Sequence, residues 1–472
     1  MIGSDSISKI IKESFLADCI PMVTIVFLGF FSVLKWQSGI IPALLGGITL
    51  AAAISFIRGY SMREIENAMG QGVKIIFPAL LTIILVGFII SSWIMGGIIP
   101  AMVFYGFHML SFNFFLPWVM ILTGITALMT GTSFTSIGTI GVSLMIIGSQ
   151  MGFPPNIIAG AVVSGAFLGD KMSPLSDTTN IAASLGEVDL FQHIRYMMWD
   201  TVPAFLLSLL IFERIGRKFI VSSNYTETLS FLNSLEASFH ITPLLFIFPI
   251  IIILMGIKKI PSNIVLFTAV ILGFLSGIIF QPFENGEILK NIMGGVKLNF
   301  QNPTLTKLFS KGGISEAGST AVTIIFIGCI IGIIRECNLL ENLLKKISSS
   351  VKSSKQLKAA VFILSLIIGI STGAQLLAII LPISLFLPLA EKLGSQNKDL
   401  TRIVESTGTV GITLVPWSVP GIFIGRTLGV EMESVLPFLV FPITLLAFSL
   451  ILNVIKSKDI KKIDGGEVRY EA

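Results

Sequence analysis

The chain has 472 residues, of which 53% are hydrophobic and 12% are charged, and its mean hydropathy is +0.89. Soluble proteins carry about 25% charged residues, so this composition excludes an ordinary soluble protein, and the long apolar runs without strand alternation exclude a membrane β-barrel. The formal charge of +5 is scattered over loops and indicates no nucleic-acid partner.

The predicted membrane segments fall into two groups. Residues 1–18 form an amphipathic N-terminal segment that does not resemble a cleavable signal peptide, and we expect it to be cytoplasmic. About 20 apolar residues cross a bilayer as a helix. By this rule the first group covers 20–34, 39–57, 75–95, 114–129, 132–150, 156–185 and 197–213. A polar linker, 214–240, leads to the second group, which covers 241–257, 261–280, 318–335, 359–372, 374–391, 402–430 and 433–455. A tail, 456–472, is predicted to be cytoplasmic.

Short polar landmarks recur in the two groups. Thr130-Gly131-Thr132 resembles Thr372-Gly373-Ala374, and Ser173-Pro174-Leu175-Ser176 resembles Val415-Pro416-Trp417-Ser418, in both cases 242 residues further along. Membrane helices resemble one another by composition, but a constant offset through polar residues favours an internal repeat. The chain is therefore predicted to contain two transmembrane repeats, 19–213 and 241–455.

The repeats are predicted to be inverted. If 114–129 and 132–150 form a re-entrant hairpin with residues 130–133 at its tip, each repeat crosses the membrane five times, which is an odd number. Inverted repeats whose broken helices meet at the midplane are typical of secondary transporters. With the N-terminus inside, both termini are cytoplasmic, and most Lys and Arg residues fall on the cytoplasmic side. The cluster Arg214, Arg217 and Lys218 counts against this topology.

The strongest functional signal is a polar stretch, residues 169–180, inside the sixth predicted segment. Charged side chains within a bilayer usually mark an ion or substrate path. Pro174 breaks the helix and frees carbonyl oxygens beside Asp170 and Asp177, which together suit a small hard cation. The predicted cation- and proton-binding residues are Asp170, Asp177, Ser173, Thr178, Thr179 and Asn180. Lys171 is predicted to compensate charge; alternatively, Asp170 and Lys171 pair and only join two helices.

The second group has a similar polar break without the same charges. The 242-residue offset matches Asp170 with Ile412, and Asp177 with Val419. The backbone feature is therefore duplicated, and the second group is expected to supply hydroxyls, carbonyls and one carboxylate. These further candidates are Glu405, Ser406, Thr407 and Thr409, with the hairpin tips adding Thr130, Thr132, Ser133, Ser371 and Thr372.

Other polar residues give weaker signals. Arg426 is expected to be buried and to pair with Glu405, or else to approach an anionic substrate. His193 and His240 show no catalytic spacing, and the three cysteines, Cys19, Cys329 and Cys337, show no metal-ligand or disulfide pattern.

The residues from Gly169 to Thr179, GDKMSPLSDTT, resemble the signature of the NhaC-type Na+/H+ antiporter family, and the similarity extends over nearly the whole chain. The family belongs to the ion-transporter superfamily, so the resemblance implies inverted five-helix repeats, paired hairpins and frequent homodimers. Glu405-Ser406-Thr407 departs from the Glu-Asp-Ser that the family more often shows, which weakens any ion-binding role there. The family also includes Na+- and H+-coupled exchangers of organic anions such as malate and lactate.

The sequence thus predicts a secondary transporter of the cell membrane that exchanges Na+ for H+ by alternating access, with Na+ bound at Asp170 and Asp177. The alternative is a Na+/H+-coupled antiporter of an organic anion. A passive ion channel is a further alternative that the sequence leaves. An intramembrane aspartyl protease is disfavoured, because position 167 is Phe rather than the Gly of Gly-x-Gly-Asp. No Gly-Lys pair occurs, which excludes a phosphate loop. We expect no enzymatic activity and no cofactor.

Overall fold

The computed structural model describes residues 14–36, 38–110, 114–219, 225–298, 300 and 303–455. Most of the predicted N-terminal segment and the predicted tail lie outside these residues. The described residues form helices and connecting turns, without strands. The prediction of an all-α polytopic membrane protein is confirmed at this level.

The first half of the chain runs through helices α1 to α10. They are α1 (Phe15–Gly29), α2 (Ile41–Ile57), α3 (Met62–Met95), α4 (Ile98–Met109), α5 (Phe115–Thr130), α6 (Ser133–Ser136), α7 (Val142–Gln150), α8 (Pro155–Met172), α9 (Asp177–Leu185) and α10 (Leu190–Arg217), with π-helical turns at Phe30–Lys35 and Ile137–Gly141. Helix α3 begins well before the predicted 75, because Ser61 and Glu64 form a reciprocal capping box at its start. Helix α4 was not predicted.

The second half runs through helices α11 to α23. They are α11 (Tyr225–Ser238), α12 (Ile247–Ile257), α13 (Ser262–Phe280), α14 (Asn285–Gly294), α15 (Pro303–Phe309), α16 (Gly313–Glu336), α17 (Glu341–Ser350), α18 (Ser354–Thr372), α19 (Gln375–Lys392), α20 (Asn397–Val404), α21 (Val419–Leu428), α22 (Met432–Val435) and α23 (Val440–Ile455). A π-helical segment, Glu405–Val410, extends α20, and 3₁₀ turns lie at Pro243–Phe246, Gly411–Leu414 and Leu436–Phe438. The predicted polar linker thus contains a helix, α11.

Six helices in the described ranges are long and apolar enough to cross a membrane: α3, α10, α13, α16, α18 and α19. In the described ranges, three further pairs of helices, each bent at a short break, bring the number of possible spans to nine. One of these pairs consists of residues 397–414 and α21, with a bend of 46° between them. Shorter apolar helices such as α2 and α5 complete the bundle. Many apolar side chains on these helices are exposed at the outer surface, as lipid contact requires.

Two helical hairpins have nearly the same construction. Helix α5 ends at Gly131 with φ +74°, and α18 ends at Gly373 with φ +69°, a conformation that glycine adopts without strain. Across the first hairpin the Ser136 hydroxyl donates to the Thr123 carbonyl at 2.7 Å. Across the second, the Ser365 hydroxyl donates to the Ala378 carbonyl at 2.8 Å. The 242-residue offset matches Thr123 with Ser365 and Ser136 with Ala378. The same two positions are therefore bonded in both hairpins, but the donor in one hairpin is at the acceptor position of the other.

The two halves also exchange contacts. Helix α9 of the first half packs on α19, an arm of the second hairpin, while α21 of the second half packs on α7 and the π-helical turn of the first hairpin. Helices α10 and α23, one from each half, pack against each other. Each hairpin therefore holds the second part of the other half's broken helix.

Helices α3 and α16 meet in a seam of bare backbone, which we call the glycine seam and define by Gly72, Gly328 and Gly332. A Cβ placed on Gly72 would lie 2.0 Å from the Gly328 carbonyl oxygen, and one on Gly332 would lie 1.9 Å from the Ala68 oxygen. No side chain fits at either position. The glycine seam therefore brings the backbones of two helices, one from each half, into direct contact.

Candidate cation-binding site

The first broken helix is interrupted at residues 173–176, which we call the first break. Helix α8 ends at Met172, Ser173 is extended, and α9 starts at Asp177. The Ser173 hydroxyl donates to the Leu128 carbonyl at 2.7 Å, which ties the break to helix α5. The Asn180 amide donates to the carbonyls of Pro174 and Ser176 at 2.9 and 2.8 Å. Side chains thus satisfy backbone oxygens that the proline break frees.

Asp170 is buried, with 7% of its surface exposed, and points at the tip of the first hairpin. One carboxylate oxygen accepts from the Ser133 backbone N–H at 3.0 Å and from the Ser133 hydroxyl at 2.7 Å. The other accepts from the Ser176 hydroxyl at 2.6 Å. Three neutral donors stabilise a negative charge here, and no cation neutralises it by direct contact in the described chain. The structure thus brings Asp170 together with Ser133, one of the candidates at the first hairpin tip.

Asp177 lies in the first turn of α9 and is exposed at the surface of the first break. It acts electrostatically on Asp170. In the part of the chain that the structure describes, no hydrogen bond or ion pair holds its carboxylate. The two carboxylates of the predicted site thus differ: one is buried and anchored, and the other faces outward.

The remaining first-half candidates bond mainly to backbone oxygens or to neighbouring hydroxyls. The hydroxyls of Ser176 and Thr178 lie 3.0 Å apart. The Thr179 hydroxyl donates to the Lys171 carbonyl at 3.1 Å, and the Thr130 hydroxyl donates to the Thr126 carbonyl at 2.8 Å. Thr132 caps α6 from extended backbone beside Ser133. The first break and the first hairpin tip therefore form one oxygen-rich region.

Lys171 does not pair with Asp170. Its side chain is fully buried, and its ammonium donates to Asp200 at 3.0 Å, to the Thr201 hydroxyl at 3.0 Å and to the Ser406 hydroxyl at 3.1 Å. These three bonds use all three ammonium donors. The alternative pairing of Asp170 with Lys171 is therefore wrong, because Asp200 on α10 takes the ammonium instead.

Arg402 completes this buried cluster from the second half. Its guanidinium donates to Asp200 at 2.8 Å, to the Ser449 hydroxyl at 3.1 Å and to the side-chain amide oxygen of Asn453 at 2.6 Å. The sequence analysis missed both Asp200 and Arg402. For Asp200 the available signal was an acidic residue inside a largely apolar helix, since such residues are rare within membranes.

In the second half, the three hydroxyl candidates have different environments. The Ser406 hydroxyl donates to Asp200 or to the Arg402 carbonyl, both at 2.9 Å. The Thr407 hydroxyl contacts the Ser365 hydroxyl at 2.7 Å. The Thr409 hydroxyl is buried without a hydrogen-bond partner in the described chain. Ser371 and Thr372 are buried at the second hairpin tip, where the adjoining Gly373 lies against Trp417 and Ser418.

The expectation that Arg426 is buried and pairs with Glu405 is wrong. Arg426 is exposed and lines a cavity of about 690 Å³ together with Trp417 and Glu431. Glu405 is fully buried, and neither of its carboxyl oxygens has a hydrogen-bond partner within the described ranges. The second break comprises residues 415–418. Glu405 lies before it in the chain, and Arg426 lies after it.

The comparison with known proteins agrees with the sequence signature. The model of the Na+/H+ antiporter family matches residues 7–179 and 165–455, which is most of the chain. The chain belongs to the Na+/H+ antiporter family. The two matches meet in the polar stretch that contains the first break. Together with the NhaC relatives described next, this match confirms the resemblance to the NhaC-type family.

Curated relatives of this antiporter cover most of its length. It is 34% identical over 400 residues to the Na+/H+ antiporter NhaC of Alkalihalophilus pseudofirmus, covering 84% of this chain and 85% of the relative. It is 30% identical to the Na+/H+ antiporter NhaC of Bacillus subtilis, covering 85% and 89%. It is 29% identical to the malate-2H+/Na+-lactate antiporter of Bacillus subtilis, covering 83% and 84%.

Proposed function

We propose that this chain is a secondary active transporter that exchanges Na+ for H+ across the cell membrane by alternating access. The observation that carries the proposal is the buried Asp170 carboxylate, which three neutral donors hold at the junction of the first break and the first hairpin tip. Family membership and the NhaC relatives support the same activity. Na+ and H+ are the transported substrates.

In this proposal Asp170 and Asp177 bind Na+ or a proton in turn. The hydroxyls of Ser176 and Thr178 lie beside these carboxylates, and hard cations of this kind take oxygen ligands. We assign the Na+ site to the first half of the chain. Ser406 is already bonded to Lys171 and Asp200, so we assign it, with Lys171, to charge compensation rather than to the ion.

We also propose two inverted repeats, 19–213 and 241–455, each with five crossings and one re-entrant hairpin, with 214–240 as a linker and both termini in the cytoplasm. The matching hairpin bonds and the exchanged contacts between halves support this arrangement. A homodimer in the lipid bilayer is part of the same proposal, on the resemblance alone.

The proposal can be tested with purified protein in proteoliposomes. A pH gradient is preset, a pH-sensitive dye reports the internal pH, and Na+ is added outside at millimolar concentration. If the protein exchanges Na+ for H+, added Na+ should dissipate the pH gradient. The Na+ flux should saturate with Na+ concentration and should require H+ on the opposite side. A flux that is linear in Na+ and independent of H+ would indicate a channel and would refute exchange.

A second candidate is exchange of an organic anion coupled to Na+ and H+. The observation in its favour is the cavity of about 690 Å³ with the exposed guanidinium of Arg426, a volume within the usual range of about 300–1,000 Å³ for small-molecule sites. The malate and lactate relative supports the same interpretation. Adding a panel of small carboxylates in the proteoliposome assay separates the two candidates, because simple Na+/H+ exchange needs none of them.

A further inference from the structure

Helix α17, Glu341–Ser350, lies at a surface of the membrane. Helices α16 and α18 on either side of it are both long and apolar enough to cross a membrane, and residues 337–353 connect them. Both ends of this connection emerge at the same face of the bilayer, because one span ends there and the next begins. Helix α17 also packs on the apolar helix α1. It therefore lies within reach of the lipid headgroups.

This helix has an apolar side and a basic side. Leu343, Leu344 and Ile347 recur at the spacing of one helix face, and they are only half-buried against the core. Lys345 and Lys346 are exposed, and the Lys345 side chain keeps 71% of its surface. An amphipathic helix with basic polar residues and incompletely covered apolar residues is suited to the boundary between headgroups and acyl chains.

Two further lysines continue the basic side of α17. Lys352 and Lys355, around the start of α18, are exposed, and no carboxylate of the described chain forms an ion pair with either. We call the four lysines of this region the basic strip: Lys345, Lys346, Lys352 and Lys355. Between positions 341 and 355 the sequence has one acidic residue, Glu341, whose exposed ion pair with Lys345 is weak in water. The basic strip therefore keeps an excess of positive charge.

A buried carboxylate fixes the start of α17. The Asp18 carboxylate on α1 accepts the backbone N–H groups of Asn342 and Leu343 at 3.0 and 3.1 Å, which are donors that the start of a helix leaves free. Asp18 also pairs with Arg58 at the end of α2. Because Asp18 is only 1% exposed, it holds α17 against α1 without neutralising the exposed lysines.

From these observations we propose that α17 binds the headgroups of anionic phospholipids through the basic strip, while the uncovered parts of its apolar side chains face the acyl chains. Long lysine side chains reach headgroup phosphates while their alkyl parts stay in less polar surroundings. Each lysine near an anionic membrane surface contributes about fivefold in affinity. A soluble acidic partner would use the lysines but would leave Leu343, Leu344 and Ile347 half-covered, so a lipid fits both sides of the helix.

The test uses the full chain purified in a neutral detergent. Native mass spectrometry measures its affinities for phosphatidylglycerol and for phosphatidylcholine with the same acyl chains. The wild type should prefer phosphatidylglycerol, and this preference should weaken as the salt concentration rises. The triple variant Lys345→Gln/Lys352→Gln/Lys355→Gln should reduce the preference about a hundredfold, whereas arginine at the same three positions should retain it.

The control is Lys290→Gln/Lys297→Gln/Lys307→Gln, which removes three exposed lysines outside this region and should keep the wild-type preference. Three results would overturn the inference: a wild type without the preference, a triple variant that keeps it, or an equal loss in the control. A wild type that binds inorganic phosphate but does not prefer phosphatidylglycerol would indicate a soluble-anion site instead. If the triple variant does not fold, Lys352→Gln/Lys355→Gln leaves α17 unchanged and should reduce the preference about 25-fold; an unchanged preference there also overturns the inference. None of these measurements depends on Na+/H+ exchange.

Discussion

The sharpest test of the site is Asp170→Asn. The substitution keeps the size of the side chain, so the introduced amide could accept the Ser133 N–H bond through its oxygen and donate to the Ser176 hydroxyl through its nitrogen. The contacts that hold the first break are thus retained in outline. What the variant loses is the negative charge, so its effect should fall on ion binding rather than on folding.

The magnitude follows from the burial of the group. Two unit charges about 4 Å apart interact by about 4 kcal/mol at the effective dielectric constant of about 20 that suits protein sites. Each 1.4 kcal/mol is a factor of about ten in affinity, so the apparent Km for Na+ should rise about a thousandfold. At millimolar Na+ the exchange should then be undetectable.

The assay is Na+-induced dissipation of a preset pH gradient in proteoliposomes with equal amounts of protein. Size-exclusion chromatography in detergent checks that the variant is folded. Asp189→Asn is the control, because Asp189 is an exposed carboxylate that caps the start of α10, outside the site. Wild-type exchange by the Asp170→Asn variant would refute the assignment of the Na+ site.

Other predictions follow from the same structure. Asp177→Asn should also abolish exchange while the protein still inserts; unchanged Na+ kinetics would remove Asp177 from the site. In a cysteine-free background, Gln150→Cys should be labelled by an impermeant thiol reagent from outside and Lys392→Cys from inside, and labelling from one face would contradict inverted repeats. The apparent Km for Na+ should fall about tenfold per pH unit as pH rises below the pKa of the shared site and then level off; a flat Km with a changing maximal rate would indicate a separate pH sensor. Asp200→Asn leaves two buried cations without their carboxylate and should destabilise the protein by about 3–5 kcal/mol, read as a lower melting temperature than that of Asp189→Asn.

The backbone of the site could be predicted because its signals are local. A proline between polar residues breaks a helix wherever it occurs, and Ser173 and Pro174 end α8 close to the expected position. Gly131 ends α5 in a conformation that favours glycine. The hairpin tip and the first break were therefore visible in short stretches of sequence.

The charge partners could not be predicted in the same way, because they are distant in sequence. Asp200 and Arg402 are 202 residues apart, and only the packing of α10 against α20 brings them together. Arg426 was expected to be buried, but helix α21 directs it into an open cavity. The π-helical segment that leaves Glu405 without a partner in the described chain also has no pattern that distinguishes it from α-helix in advance.

The glycine seam has a consequence for how the site can open to either side of the membrane. Helices α3 and α16 touch through backbone atoms at Gly72 and Gly332, with no side chains between them to change rotamer or slide. Such a contact leaves little room for the two helices to slide, so in the proposed exchange we expect the hairpins and broken helices to move against this pair when Asp170 becomes exposed. A methyl group added at Gly72 would separate the frame helices, and it would disturb transport from a position that touches neither ion.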